Sequence, residues 1–147
     1  MWATLDDSAE ADFLTAVDGL TDELGPGSAI GAFERGAARD STGHPDLAVP
    51  LYREALAVGL TGLRRRRATI QLASSLRNLG DADESLALLR AERDQPSDEL
   101  DDAVTGFLAL ALADHGRERE ALTLALTALA PHLPRYQRSL ANYAADL

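Results

Sequence analysis

The stretch "TIQLASSLRNLGDADESLALLRAER", residues 69–93, contains two runs of helical periodicity joined at a single glycine, Gly80. Two other stretches have the same form: "AFERGAARDSTGHPDLAVPLYREAL" at 32–56 and "TGFLALALADHGREREALTLALTAL" at 105–129. The turn glycines lie 37 residues apart (Gly43 to Gly80) and 36 residues apart (Gly80 to Gly116). A near-constant period of this length indicates a repeated helix-turn-helix unit.

Small side chains recur at two positions of each stretch, and we expect neighbouring helices to approach closely there. Seven residues before the turn glycine stand Gly36, Ala73 and Ala109, and five residues after it stand Ala48, Ser85 and Ala121. Larger residues that would fill the remaining space stand at two further positions. Four residues before the turn glycine are Leu76 and Leu112. Nine residues after it are Tyr52, Leu89 and, in the third stretch, the smaller Ala125.

This arrangement resembles the tetratricopeptide repeat (TPR), a helix-turn-helix unit of about 34 residues, over roughly residues 29–131. It departs from the TPR pattern at Ala32, Arg35 and Arg39, where such units usually carry large apolar or aromatic residues. As a whole the chain looks like small stand-alone bacterial TPR proteins. The use of arginine without lysine is typical of a GC-rich bacterial genome. The resemblance implies a binding role and no chemistry.

We therefore predict an all-α, TPR-like α-solenoid of about eight helices, with residues 1–147 forming a single domain. Ser28 is expected to cap a helix, and Pro50 to produce a small kink. Tyr136, Leu140, Tyr143 and Leu147 are expected to form one stripe that covers the last repeat. The predicted parts are an N-terminal helix at 5–24, repeats at 29–59, 63–94 and 98–130, and a capping helix at 135–146.

Composition and motifs argue against several classes of protein. The 147-residue chain has no cysteine, so disulfides and thiolate sites are excluded and a cytoplasmic location is expected. Its N-terminus lacks the features of a signal peptide, and no apolar run is long enough to span a membrane. His44, His115 and His132 lie near turns without metal-ligand spacing, and no phosphate loop or nucleophile motif occurs. We expect neither an enzyme nor a cofactor or metal.

Four consecutive arginines, Arg64 to Arg67, stand out in a chain of formal net charge -10. Because successive helical residues turn by about 100°, this run spreads around the helix and cannot form one basic patch. We expect most of these arginines to be solvated or to pair with acidic helices such as 6–23. Nucleic-acid binding is not expected, since no stacking aromatics or recognised motif lie nearby.

Arg67 begins a polar helical face, and because the first helix of a TPR unit lines the concave surface, the resemblance implies that this face lines a concave groove. The corresponding face of the first repeat carries Ile30, Glu34, Ala37 and Ser41, and Arg135, Ser139 and Asn142 could extend the groove. Arginine suits a carboxylate and an apolar wall suits a hydrophobic side chain, so the expected ligand is a protein or peptide with an acidic group. The predicted groove residues are Arg67, Gln71, Ser74, Arg77, Asn78, Phe107 and Leu110.

Two alternatives remain open at this point. The concave face could be solvated without any ligand, or the chain could form a homo-oligomer through an exposed stripe or Trp2. The TPR groove that captures carboxyl termini is not implied here, because its positions in the first repeat hold Phe33 and Ala37.

Overall fold

The structure is a computed structural model that describes residues 9–147. Its helices are α1 (Glu10–Asp22), α2 (Ala29–Ser41), α3 (Pro45–Val58), α4 (Gly62–Asn78), α5 (Ala82–Arg93), α6 (Asp101–Asp114), α7 (Glu118–Leu129) and α8 (Gln137–Ala145). A short 3₁₀ turn, Ala130–His132, lies between the last two helices. No strand occurs in the described part of the chain. The prediction of an all-α fold with about eight helices is confirmed.

Most helix ends agree with the sequence-based boundaries to within a residue or two. The Ser28 cap is confirmed, since its Oγ accepts a hydrogen bond of 3.1 Å from the Gly31 amide. Residues 5–8 of the predicted first helix lie outside the described residues. The sixth helix begins at Asp101 rather than at 98, because Asp98 accepts a hydrogen bond of 2.8 Å from the Leu100 amide and so holds a turn.

The described chain divides into two compact units, one ending at Gly80 and the other running from Asp81 to Leu147. The first contains α1 to α4, and the second contains α5 to α8. In both units helices pack mainly against the next helix along the chain, as α2 does against α3 and α6 against α7. The predicted single domain over 1–147 stays a prediction.

In the first unit, Gly36 sets the distance between α2 and α3. A methyl group on its Cα would lie 3.0 Å from two ring carbons of Tyr52 and 3.3 Å from Cβ of Leu51. Tyr52 and Ala48 are fully buried. The close approach predicted from the small-residue columns is therefore present in this hairpin.

In the second unit, α8 packs on α7, and of the predicted stripe only Leu140 is half-buried. Ala144 is fully buried, whereas Tyr136 and Tyr143 are 75% and 71% exposed. Tyr136 precedes the helix in a left-handed conformation, with φ of 69°, so it lies outside the helical stripe. The prediction that Tyr136 and Tyr143 cover the last repeat was wrong, and the buried residue of α8 is the small Ala144 instead.

Ala121 provides a test of the small-residue column in the second unit. It is buried on α7, so Ala121→Leu should overpack the helix and lower the free energy of unfolding by about 1–3 kcal/mol. Ala125→Leu, the same change one turn later at an exposed position, is the matched control and should have little effect. Urea denaturation measures both, and equal effects of the two changes would contradict the proposed packing.

Candidate functional site

A groove between α2 and α4 brings together two of the predicted ligand-binding residues. It has a volume of about 320 Å³ and lies entirely within the first unit. Its α2 wall is formed by the face predicted from the first repeat, and its α4 wall by the face that begins at Arg67. The lining residues are Glu34, Ala37, Ser41, Arg67 and Gln71.

Arg67 is held in this groove by the aromatic ring beneath it. Its guanidinium carbon lies 5.3 Å from the ring centroid of Phe33, which is fully buried. A guanidinium over a ring face is attracted to the negative charge of that face. Arg67 nevertheless stays exposed and lines the groove.

Gln71 supplies an acceptor to the same groove. Its Oε1 atom is buried and has no hydrogen-bond partner among the described residues. A buried acceptor without a partner destabilises a protein by about 1–3 kcal/mol. A ligand N–H that reached Oε1 would remove this penalty.

A hydrogen-bonded network centred on Asp40 connects the helices of this unit. The Tyr52 hydroxyl donates to Asp40 at 3.2 Å, and the Ser75 hydroxyl donates to it at 3.0 Å. Burial, followed by the charge of Asp40, raises the pKa of Tyr52 far above its usual value, so the hydroxyl keeps its proton and remains a donor. The carboxylate thus joins α2 to both α3 and α4.

The four consecutive arginines differ in burial, as expected for a run that spreads around the helix. Arg64 is exposed with Nε 3.7 Å from Glu34, Arg65 is half-buried, and Arg67 lies over the Phe33 ring. Arg66 is only 3% exposed, which the sequence analysis did not predict.

Two acidic side chains of α1, Asp18 and Asp22, pair with α2 rather than with this arginine run. Both terminal nitrogens of Arg39 donate to Asp18, at 2.9 and 2.7 Å. Arg35 pairs with Asp22 and also approaches Asp18. The suggested pairing of helix 6–23 with the arginine run was therefore wrong for the described acids. The pairing of Arg35 and Arg39 with acids of α1 also explains why two arginines stand where TPR units usually carry apolar residues.

The remaining predicted ligand-binding residues do not line the α2–α4 groove. Ser74 and Arg77 are half-buried farther along α4, and Asn78 is exposed at its end. Phe107 is half-buried and Leu110 is 46% exposed, both on α6 in the second unit. That these residues share one ligand surface with Arg67 stays a prediction.

Each histidine contacts a carboxylate from a distant part of the chain, which the sequence analysis missed because the partners are about 30 residues apart. A backbone hydrogen bond to Ala111, with a further contribution from Asp83, raises the pKa of His115. Within residues 9–147, no group of three or more His, Cys, Asp or Glu side chains could hold a metal ion. The Nε2–carboxylate pairs are His44–Glu10 at 2.6 Å, His115–Asp83 at 2.9 Å and His132–Asp102 at 2.7 Å.

The model of a family described as Tetratrico peptide repeat matches residues 29–147, most of the chain. No curated protein and no solved structure is significantly similar to the chain. Within residues 9–147, none of the helices combines the length and the apolar character needed to cross a bilayer.

Proposed function

Because the chain belongs to the tetratricopeptide repeat family, whose members generally serve as protein-interaction scaffolds, we propose that it binds a protein or peptide in the α2–α4 groove. The observation that carries this proposal is that one groove contains both Arg67 and Gln71. Arg67 is an exposed cation that lies over the Phe33 ring, and Gln71 has a side-chain acceptor without a hydrogen-bond partner. The family is typically non-catalytic, which fits a binding role.

A peptide with an acidic side chain matches the cation of Arg67, the one basic residue of a groove that is also lined by the carboxylate of Glu34. Its carboxylate would pair with Arg67 in a charge-assisted hydrogen bond, and a backbone N–H would reach Gln71. Ala37 and Ser41 are small, so they leave room for the ligand between the helices. The cytoplasmic location and the absence of nucleic-acid binding stay predictions.

The chain's own negative charge does not outweigh these contacts. A formal net charge of -10 repels an acidic ligand at long range, but physiological salt screens exposed charges beyond about 8 Å. A hydrogen bond to a charged group at contact contributes about 1.5–3 kcal/mol. We therefore expect a ligand with one or two acidic groups in an otherwise neutral or basic segment.

The proposed surface extends from the groove along α4 to Ser74, Arg77 and Asn78. That Phe107 and Leu110 of α6, in the second unit, also contact the ligand stays a prediction from the sequence. Charge reversal at Arg77 is the test of this extension, because this residue lies on α4 outside the groove lining.

The experiment is affinity capture of partners followed by calorimetric titration against variants. Arg67→Glu should weaken binding about 10-fold or more, because it replaces the attractive charge by a repulsive one. Arg93→Glu, an equal charge change at an exposed position on α5, is the control and should bind normally. If Arg67→Glu and Arg93→Glu weaken binding equally, the ligand does not lie in this groove.

Gln71→Leu separates binding from folding. Removing an unsatisfied buried acceptor should leave the free energy of unfolding unchanged or increased. It should nevertheless lower the affinity for the ligand, because one hydrogen bond to the ligand is lost. A variant that binds with full affinity would show that the ligand makes no contact with Gln71.

A further inference from the structure

The α2–α4 groove contains a second charged residue, Glu34, to which the proposed function gives no role. Its side chain is 18% exposed and lines the groove together with the cation of Arg67. Glu34 pairs with Arg64, whose Nε lies 3.7 Å from the Glu34 Oε1. Within residues 9–147, Arg67 forms no ion pair. The two opposite charges that line the groove are therefore not paired with each other.

Contacts between α2 and α4 show which ends of the two helices meet. In the first half of each helix, the guanidinium of Arg67 lies over the Phe33 ring. In the second half, the Ser75 hydroxyl donates to Asp40 at 3.0 Å. The two helices therefore run parallel. Because Glu34 follows Phe33 directly, it lies at the same end of the groove as Arg67.

The other groove residues lie farther along the same two helices. Glu34, Ala37 and Ser41 are spaced i, i+3 and i+7, so they form one face of α2. On α4, Gln71 follows Arg67 by one turn, and its buried Oε1 has no hydrogen-bond partner among the described residues. One end of the groove thus offers a cation and a carboxylate, and the next turn offers an acceptor for an N–H group.

The carboxylate of Glu34 restricts which side chains can stand beside the acidic group of a ligand. A ligand carboxylate that pairs with Arg67 lies at the same end of the groove as Glu34, and neighbouring carboxylates repel each other. A basic ligand group beside the acidic one offsets this repulsion. It can also donate to Glu34, because a carboxylate has about four acceptor sites, more than one ion pair uses. The formal net charge of -10 favours a basic group for the same reason.

We propose that Glu34 selects a peptide in which a basic side chain lies beside the acidic one. This selectivity rests on the proposed function, the binding of a peptide in the α2–α4 groove, and it adds the class of partner: a segment with adjacent opposite charges rather than an acidic tract. In the complex the acidic side chain pairs with Arg67, the basic side chain pairs with Glu34, and a backbone N–H donates to Gln71. A ligand with two adjacent acids is rejected because it brings a like charge to Glu34.

The first experiment measures which peptides the wild-type protein binds. The probes are short immobilised peptides in which a central aspartate is flanked by lysine, by glutamine or by a second aspartate, while the remaining positions are varied. The best lysine peptide is then titrated beside its glutamine and aspartate counterparts. We expect its affinity to exceed that of the glutamine counterpart about 10-fold, which corresponds to one charge-assisted contact, and that of the aspartate counterpart by more.

The second experiment assigns this preference to Glu34. Glu34→Gln keeps the size of the side chain and removes its charge, so it should bind the lysine and glutamine peptides equally. Glu54→Gln, the same change at an exposed position of α3 outside the groove, should keep the wild-type preference. Arg64→Gln should increase the preference, because it removes a cation that competes for Glu34. Circular dichroism checks that each variant is folded. A lysine preference that Glu34→Gln retains overturns the proposal.

Arg67→Glu distinguishes a failure of this selectivity from a failure of the proposed function. If peptides bind the wild type and lose affinity in Arg67→Glu, but lysine beside aspartate gives no advantage, a peptide occupies the groove and only the role of Glu34 is wrong. If no peptide binds the wild type up to about 1 mM, or if Arg67→Glu binds all peptides normally, the proposed function is wrong as well.

Discussion

Replacing Tyr52 by alanine should lower the free energy of unfolding by about 3–5 kcal/mol, the largest loss that we expect from a single substitution. The ring is fully buried, lies against Gly36 and has its centroid 6.3 Å from that of Phe33. Truncation would leave a cavity at the centre of the α2–α3 hairpin, and it would also remove the hydroxyl that donates to Asp40. Chemical denaturation measures the loss.

Tyr52→Phe divides this effect into its two parts. It keeps the ring and removes only the hydrogen bond to Asp40, so it should destabilise the protein by about 0.5–1.5 kcal/mol. Asp40 would still accept from Ser75 and is partly exposed to water, which limits the loss. If the phenylalanine and alanine variants are equally unstable, the hydroxyl rather than ring packing dominates, contrary to our expectation.

Gly36→Val should lower the free energy of unfolding by about 3 kcal/mol, at the upper end of the range for overpacked cores. Its Cβ alone would lie 3.0 Å from the Tyr52 ring and 3.3 Å from the Leu51 Cβ, so two further methyl groups must push α3 away from α2. This loss should exceed the small gain in helix propensity that follows from removing a glycine. Thermal and urea denaturation give the measured value.

The cause of this destabilisation can be tested in two ways. Gly106→Val makes the same change inside α6, where a Cβ would meet no atom within 4 Å, and it should be close to neutral. Combining Gly36→Val with Tyr52→Ala should destabilise less than the sum of the single changes, because the valine occupies part of the space that the ring left. Strict additivity would show that the two residues do not share one contact.

Much of this fold could be predicted because its determinants are local in sequence. The turn glycines, the Ser28 cap and the columns that include Gly36 and Ala121 depend only on spacing along the chain. The beginning of α6 could not be placed by periodicity, because a side-chain hydrogen bond at Asp98 competes with the helix there.

The candidate site was predicted only in part, since its details depend on how helices approach one another. The helical face through Arg67 and Gln71 follows from periodicity, and both residues line the groove. The support of Arg67 by Phe33 and the unsatisfied Gln71 oxygen depend on the distance between α2 and α4. The pairing of Arg39 with Asp18 likewise depends on where α1 lies, which no spacing rule gives.

The packing of each helix against its neighbour along the chain also affects how fast the protein folds. In both units the main helix pairs are consecutive, such as α1 with α2, α2 with α3 and α7 with α8. Contacts between residues close in sequence require only short loops to be closed, so little chain entropy is lost before the first stabilising contacts form. Helical proteins with such local contacts fold in about microseconds to milliseconds. The main phase of refolding after dilution from urea should therefore be too fast for manual mixing and should require stopped-flow or temperature-jump methods.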